Sequence, residues 1–259
     1  MSLMRVQDIS KRYGGVQALS GVSLDIGADQ LYAIIGPNGA GKSTLLNVMT
    51  GLVSPTSGQV WFDGAPLTGR ATHDIVRAGI GRIFQSGRLF NRLTVLENVM
   101  LGAAMDHSRS LGAMLFQPGA TRRREQEARD AAYQTLRQFD LHTLADRAIG
   151  SLSYGNRRMV EMARVIVAKP RLLLLDEPAA GLNSGEVEQL MDLLRRLRDQ
   201  HRLSIVLIEH NMGMVMRLAE RVAVLNFGSK LAEGEPAQIQ SDPAVLEAYL
   251  GGGYQHVEV

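Results

Sequence analysis

Apolar positions along this chain fall in short runs separated by amphipathic stretches. Residues 4–9 alternate apolar and polar, the pattern of a half-buried strand. Residues 31–35 (LYAII) form a continuous apolar run that stops at Gly36, and a helical pattern starts near Lys42. A buried strand, a glycine-rich turn and a helix in that order make half of a βαβ unit. Further strands are predicted at 59–62 (QVWF), ahead of an Asp63-Gly64 turn, and at 80–84. From about Thr94 to Ala148 the pattern is mainly helical, with a break near Gln117-Pro118-Gly119. Strand and helix then alternate again. Helices are predicted at 157–168, 184–200 and 212–219, and strands at 172–175 (LLLL), 204–208 (SIVLI) and 221–225 (RVAVL). Continuous apolar strands between helices predict an α/β fold with a mostly parallel sheet covered on both faces. The middle helical block reads as a lobe inserted into that core, and 251–259 (GGGYQHVEV) as a loose tail.

Composition changes this picture only by exclusion. The chain has 259 residues, 45% hydrophobic and 21% charged, which is globular. The 28 basic and 26 acidic residues give a net charge of +2, too small to call for nucleic acid. The run Arg122-Arg123-Arg124 is followed by Glu125, Glu127 and Asp130, so it reads as a solvated helix face. Cysteine is absent, which excludes disulfides, thiolate metal sites and a cysteine nucleophile. The six histidines show no zinc-ligand spacing, and the twelve methionines are scattered as packing residues. The opening MSLMRVQDISKRYGG has no apolar core of signal-peptide length, and no apolar run approaches a bilayer span. A soluble protein is expected, with any membrane role supplied by a partner.

Two segments carry chemistry. Gly36-Pro37-Asn38-Gly39-Ala40-Gly41-Lys42-Ser43-Thr44 fits G-x-x-x-x-G-K-[ST], after a strand and opening a helix. Glycines there let backbone N–H groups turn inward around phosphate oxygens, and the helix N-terminus favours an anion. Lys42 would reach the β and γ phosphates and the Ser43 hydroxyl would ligate Mg²⁺. The second segment is Leu172-Leu173-Leu174-Leu175-Asp176-Glu177-Pro178. Four apolar residues bury a strand, and two carboxylates emerge at its C-terminal end, where open α/β sheets bind ligands. Asp176 is placed to complete a Mg²⁺ shell and Glu177 to polarise an attacking water as general base. Together these predict a P-loop NTPase core.

Leu152-Ser153-Tyr154-Gly155-Asn156, just before the acidic strand, resembles the LSGGQ signature motif of ATP-binding cassette (ABC) proteins, departing from it at Tyr154 and Asn156. The resemblance runs from about residue 4 to 250. It implies an N-terminal antiparallel β part and roles for single residues. Tyr13 in KRYGG matches the aromatic that stacks on adenine. Gln85, after GIGRIF, matches the glutamine that senses Mg²⁺ and water and touches the membrane partner. His210, after SIVLIE, matches the switch histidine on the γ-phosphate. Ser153 and Gly155 would close in trans over ATP held by a second ATPase subunit. Asn183 stands where most relatives carry Asp in the loop that crosses the dimer interface.

LSYG, EPAAGLN, IEHNM and the ending AYLGGG are similar to the ATPases of branched-chain amino acid importers, as is the helical stretch around 103–130. The resemblance implies one nucleotide-binding domain over 1–250, with a core at about 1–92 and 157–250 and a helical subdomain at about 93–156. It implies ATP and Mg²⁺ as ligands and catalytic roles for Glu177, His210, Gln85 and Lys42. It also implies transmembrane permease subunits, a second identical or paralogous ATPase and, indirectly, a substrate-binding protein, at the cytoplasmic face of the membrane and without nucleic acid. A urea importer or a lipopolysaccharide exporter uses a similar ATPase. A non-transport ABC ATPase would carry a long coiled coil or a second cassette, and a simple P-loop kinase would have no use for the signature motif.

Overall fold

The computed structural model describes residues 2–84, 89–104 and 118–250. Two compact units emerge, one made of the residues up to Arg82, Arg171–Ala180 and those from Val187 on, the other of Ile83–Pro170 and Gly181–Glu186.

The first unit holds two sheets. β1 (Ser2–Tyr13), β2 (Val16–Gly27), β4 (Ser57–Phe62) and β5 (Ala65–Pro66) form a sheet in the order β2-β1-β4-β5, with antiparallel pairing throughout. The second sheet contains β3 (Leu31–Ile35), β6 (Ile80–Ile83), β7 (Leu172–Asp176), β8 (Ser204–Ile208), β9 (Arg221–Asn226) and β10 (Ser229–Gly234), ordered β10-β9-β3-β8-β7-β6. β3, β7, β8 and β9 run parallel, and β10 adds an antiparallel edge. Every residue of β3, β7 and β8 is buried, as expected of strands covered on both faces. One core joins the antiparallel sheet (Met4, Val6, Leu24, Phe62) to Leu174, Val206 and Leu225 of the parallel sheet and to Leu45, Leu46 and Met49 of α1 (Lys42–Met49). The opposite face packs Ile35, Val222 and Val224 against Val215, Ile239 and Val245. These come from α7 (Met212–Leu218), α8 (Pro236–Ser241) and α9 (Pro243–Leu250).

In the second unit α3 (Val95–Ala104), α4 (Pro118–Gln138) and α5 (Tyr154–Ile166) pack on one another. α2 (Thr72–Arg77) belongs to the first unit, and α6 (Ser184–His201) follows β7. No helix of the described residues is long and apolar enough to cross a membrane.

The structure extends the strand predicted at 4–9 to both sides and adds β2. Each departure has a visible cause. Asp8 takes a positive φ of 49° and the pairing of β1 with β2 shifts between Val6 and Ile9, so the alternation changes phase. Gly21, at φ 60°, interrupts β2 in the same way. The helical block also stops earlier than predicted. α4 ends at Gln138, Asp140 turns left-handed at φ 57°, and only two 3₁₀ turns, His142–Leu144 and Ile149–Ser151, follow. Residue 117 and the tail at 251–259 lie outside the described residues. On α4, Arg123 pairs with Glu127 one turn on, both highly exposed, as a solvated face requires.

Candidate active site

β3 ends at Gly36, where the chain must turn at once. Gly36 has φ 148°, and a Cβ there would run into the Leu225 carbonyl of β9. Gly41, immediately before α1, sits at φ 99°, and a Cβ would lie 2.7 Å from the Ala18 carbonyl oxygen. Neither position accepts a side chain, so the loop between them is fixed by sterics. It is also tied from outside: the Gly228 amide donates to Ala40 O at 3.1 Å, and the Ser20 amide to Gly228 O at 2.8 Å. Asn38, Gly39 and Ser43 are exposed at its mouth, while Thr44 is half-buried. Lys42 is buried, and its Nζ donates to the carbonyl oxygens of Gly36 (2.7 Å) and Pro37 (2.9 Å). Burial lowers the Lys42 pKa, and the carboxylates of Glu177 and Asp176 oppose that shift. The lysine and both acids thus act on one another electrostatically.

β7 pairs in register with β8, Asp176 beside Ile208, so the loops after the two strands leave the sheet together. Burial raises the Asp176 pKa against the pull of Arg82. Arg82 of β6 reaches Asp176 Oδ2 at 3.4 Å through Nη2 and, through Nη1, Asn47 Oδ1 at 2.8 Å and Thr50 Oγ1 at 2.9 Å. It therefore joins the acidic strand tip to the phosphate-loop helix. Glu177 adopts a left-handed φ of 49°, its amide donates to Ile208 O at 2.9 Å, and its Oε1 lies 2.7 Å from His210 Nε2. Both side chains of that pair remain partly open to solvent. Lys42, Asp176, Glu177 and His210 thus gather at the C-terminal ends of β3, β7 and β8, the end at which such sheets bind ligands.

Tyr13 ends β1 half exposed, with Lys11 Nζ 5.0 Å from its ring centroid. Gln85 lies outside the described residues. Ser153 and Gly155 belong to the second unit. Ser153 is the N-cap of α5, its Oγ accepting from the Asn156 amide at 3.2 Å. α5 starts three residues before the predicted helix because this cap satisfies its first turn.

The chain matches the ABC transporter family over residues 19–180 and the branched-chain amino acid ATP-binding cassette transporter family over residues 229–255. It belongs to the ABC transporter family. A high-affinity branched-chain amino acid transport ATP-binding protein of Pseudomonas aeruginosa, BraF, is 41% identical, covering 96% of this chain and 98% of that protein. LivG of Escherichia coli, of the same description, is 40% identical over the same shares. Among solved structures, the ADP conformation of an ABC transporter's ATP-binding cassette has a TM-score of 0.84 at 32% identity, covering 97% of this chain and 99% of that one. A dimeric bacterial ABC transporter cassette has a TM-score of 0.76 at 28% identity, covering 90% and 98%. As an ABC ATPase the chain binds and hydrolyses ATP.

The departures from the usual ABC motifs have structural correlates. The Tyr154 ring lies against Gly181, whose Cβ would approach it to 3.1 Å. A Cβ on Gly155 would meet the carboxylate of Glu186, the movable end of a side chain. Asn183 and Glu186 cap α6 reciprocally: Asn183 Oδ1 accepts from the Glu186 amide and Glu186 Oε2 from the Asn183 amide, each at 3.0 Å. An N-cap needs only a side-chain oxygen, which Asn supplies as well as Asp.

Motif reading gives no role to two residues of this ABC ATPase, Arg82 and Glu209. Their signals were a lone arginine inside an apolar strand and an acid adjoining the histidine. Arg82→Met should strip the buried Asp176 carboxylate of its ion pair with Arg82. The expected cost is about 3 kcal/mol, the low end for breaking a buried pair because Asp176 can take up a proton. Melting temperature should fall by about 6–12 °C, and Arg82→Lys should restore part of it. A melting curve unchanged by Arg82→Met would refute the bracing role.

Proposed function

We propose that this chain energises an importer of branched-chain amino acids. The match of residues 229–255, beyond the general cassette, to a family specific to that cargo carries the reading. Residues 1–250 then act as one nucleotide-binding domain, with the helical subdomain at about 93–156. The subunit sits peripherally at the cytoplasmic face, held by transmembrane permease subunits that receive its motion, with a substrate-binding protein delivering cargo on the other side.

ATP would enter with its phosphates against the 36–44 loop and its adenine on Tyr13. Lys42 is the cation for the β and γ phosphates. Among the described residues no three His, Asp or Glu side chains gather to hold a metal alone. The Ser43 hydroxyl and Asp176 carboxylate instead fit Mg²⁺, which usually takes one or two protein oxygens and completes its shell with phosphates and water. Gln85 would join them. Bound there, Mg²⁺ would supply positive charge to offset that of the phosphates. Glu177 takes the proton of the attacking water, and His210 holds the γ-phosphate and orients the Glu177 carboxylate. Little covalent chemistry falls to the protein, so rate comes from positioning and charge. Ser153 and Gly155 of a second ATPase subunit, identical or paralogous, would close over the γ-phosphate. ATP thereby favours the closed pair through contacts that the open state lacks.

Disabling the subunit by Lys42→Ala in the native organism should abolish energised uptake of labelled leucine and spare uptake of unrelated solutes. Purification of the complex should recover permease subunits. Unimpaired leucine uptake, or recovery with an exporter, would refute the cargo.

A further inference from the structure

A buried carboxylate to which the motifs assign no role bridges the two catalytic loops. Glu209 is 4% exposed, and buried acids are normally paired with a cation. Among the described residues no ion pair to Glu209 is found; backbone amides serve it instead. Oε1 accepts from the Ala179 amide at 2.7 Å, two residues beyond Glu177. Oε2 accepts from the His210 amide at 3.0 Å and lies 3.4 Å from the Asn211 amide. Each oxygen therefore serves a different loop.

These bonds close a ring with two others already described, Glu177 N–H to Ile208 O and Glu177 Oε1 to His210 Nε2. The ring matters because Glu177 is held at a φ of 49°, a conformation a non-glycine residue keeps only when its surroundings over-determine it. We infer that Glu209 is a positioning residue for ATP hydrolysis: its carboxylate grips the backbone after Glu177 and the backbone of His210, and so sets the distance and angle between those two side chains. The inference rests on the roles proposed above for Glu177 and His210. Glu209 acts through those two residues.

Glu209→Gln is nearly isosteric but replaces one acceptor oxygen with an NH₂ group that must face a backbone N–H. One loop is released while the phosphate loop is untouched. Steady-state turnover by the full chain with Mg–ATP should show kcat reduced about 10- to 100-fold, the scale of a small misplacement of reacting groups. KM for ATP should stay within about twofold, since binding to the phosphate loop is unaltered. In a His210→Ala background Glu209→Gln should add no further loss, because the pair it sets no longer exists. A kcat within about twofold of the unsubstituted chain, or a loss that multiplies with that of His210→Ala, overturns the inference. If Glu177→Gln and His210→Ala themselves leave turnover intact, the underlying site reading fails instead. Should Glu209→Gln not fold, amide hydrogen exchange on the unsubstituted chain decides: a protected Ala179 amide supports the bridge, and exchange at the free-peptide rate overturns it.

Discussion

Glu177→Gln is expected to keep ATP binding and lose turnover by about 10²- to 10⁴-fold, the range a general base contributes. The amide has the shape of the carboxylate and can keep the 2.7 Å contact to His210 Nε2 by presenting its oxygen. It cannot accept the proton of the attacking water. The strained backbone at residue 177 is held by main-chain bonds that the substitution leaves in place, so folding should be unaffected. Binding without hydrolysis should trap the closed pair, visible as an ATP-dependent dimer in size-exclusion chromatography. Turnover near that of the unsubstituted chain in an assembled complex would remove Glu177 from the role of base.

Lys42→Ala should have the second largest effect, and on binding as well as rate. Its ammonium is buried within the loop it serves and faces Asp176 and Glu177, whose negative charge it offsets. Without it, a triphosphate must approach two carboxylates across a loop of neutral amides. Losing one buried, hydrogen-bonded charge contact costs about 2–4 kcal/mol, hence about 30- to 1,000-fold in ATP affinity. The loop should persist, because Gly36, Gly41 and the Gly228 bonds fix it independently of the lysine. Calorimetric titration of the variant reads the affinity directly, and an unchanged Kd would reject the phosphate-loop assignment.

What could be read from the chain follows from what local pattern encodes. The buried parallel strands were legible because Leu31–Ile35, Leu172–Leu175 and Ser204–Ile208 are apolar throughout or nearly so. The glycine–lysine loop was legible because sterics leave Gly36 and Gly41 no alternative. β2 was not, because the bulge at Gly21 breaks the alternation on which strand recognition rests. β10 was missed because five of its six residues are not buried, so it has no apolar face to show. Among site residues, Lys42, Asp176, Glu177 and His210 announce themselves through motifs. Arg82 and Glu209 do not, since their work is done through partners far away in sequence: Asn47, Thr50 and Asp176 for the arginine, and Ala179 for the acid.

In the proposed function the 36–44 loop and the acids at 176–177 grip one triphosphate between them. Isothermal titration of ATP into the purified full chain, with and without magnesium, tests it most directly. Saturable binding of one nucleotide per chain is expected, strengthened by magnesium and weakened by Lys42→Ala. A chain that takes up no ATP with magnesium present, or binds it equally well without Lys42, would contradict it.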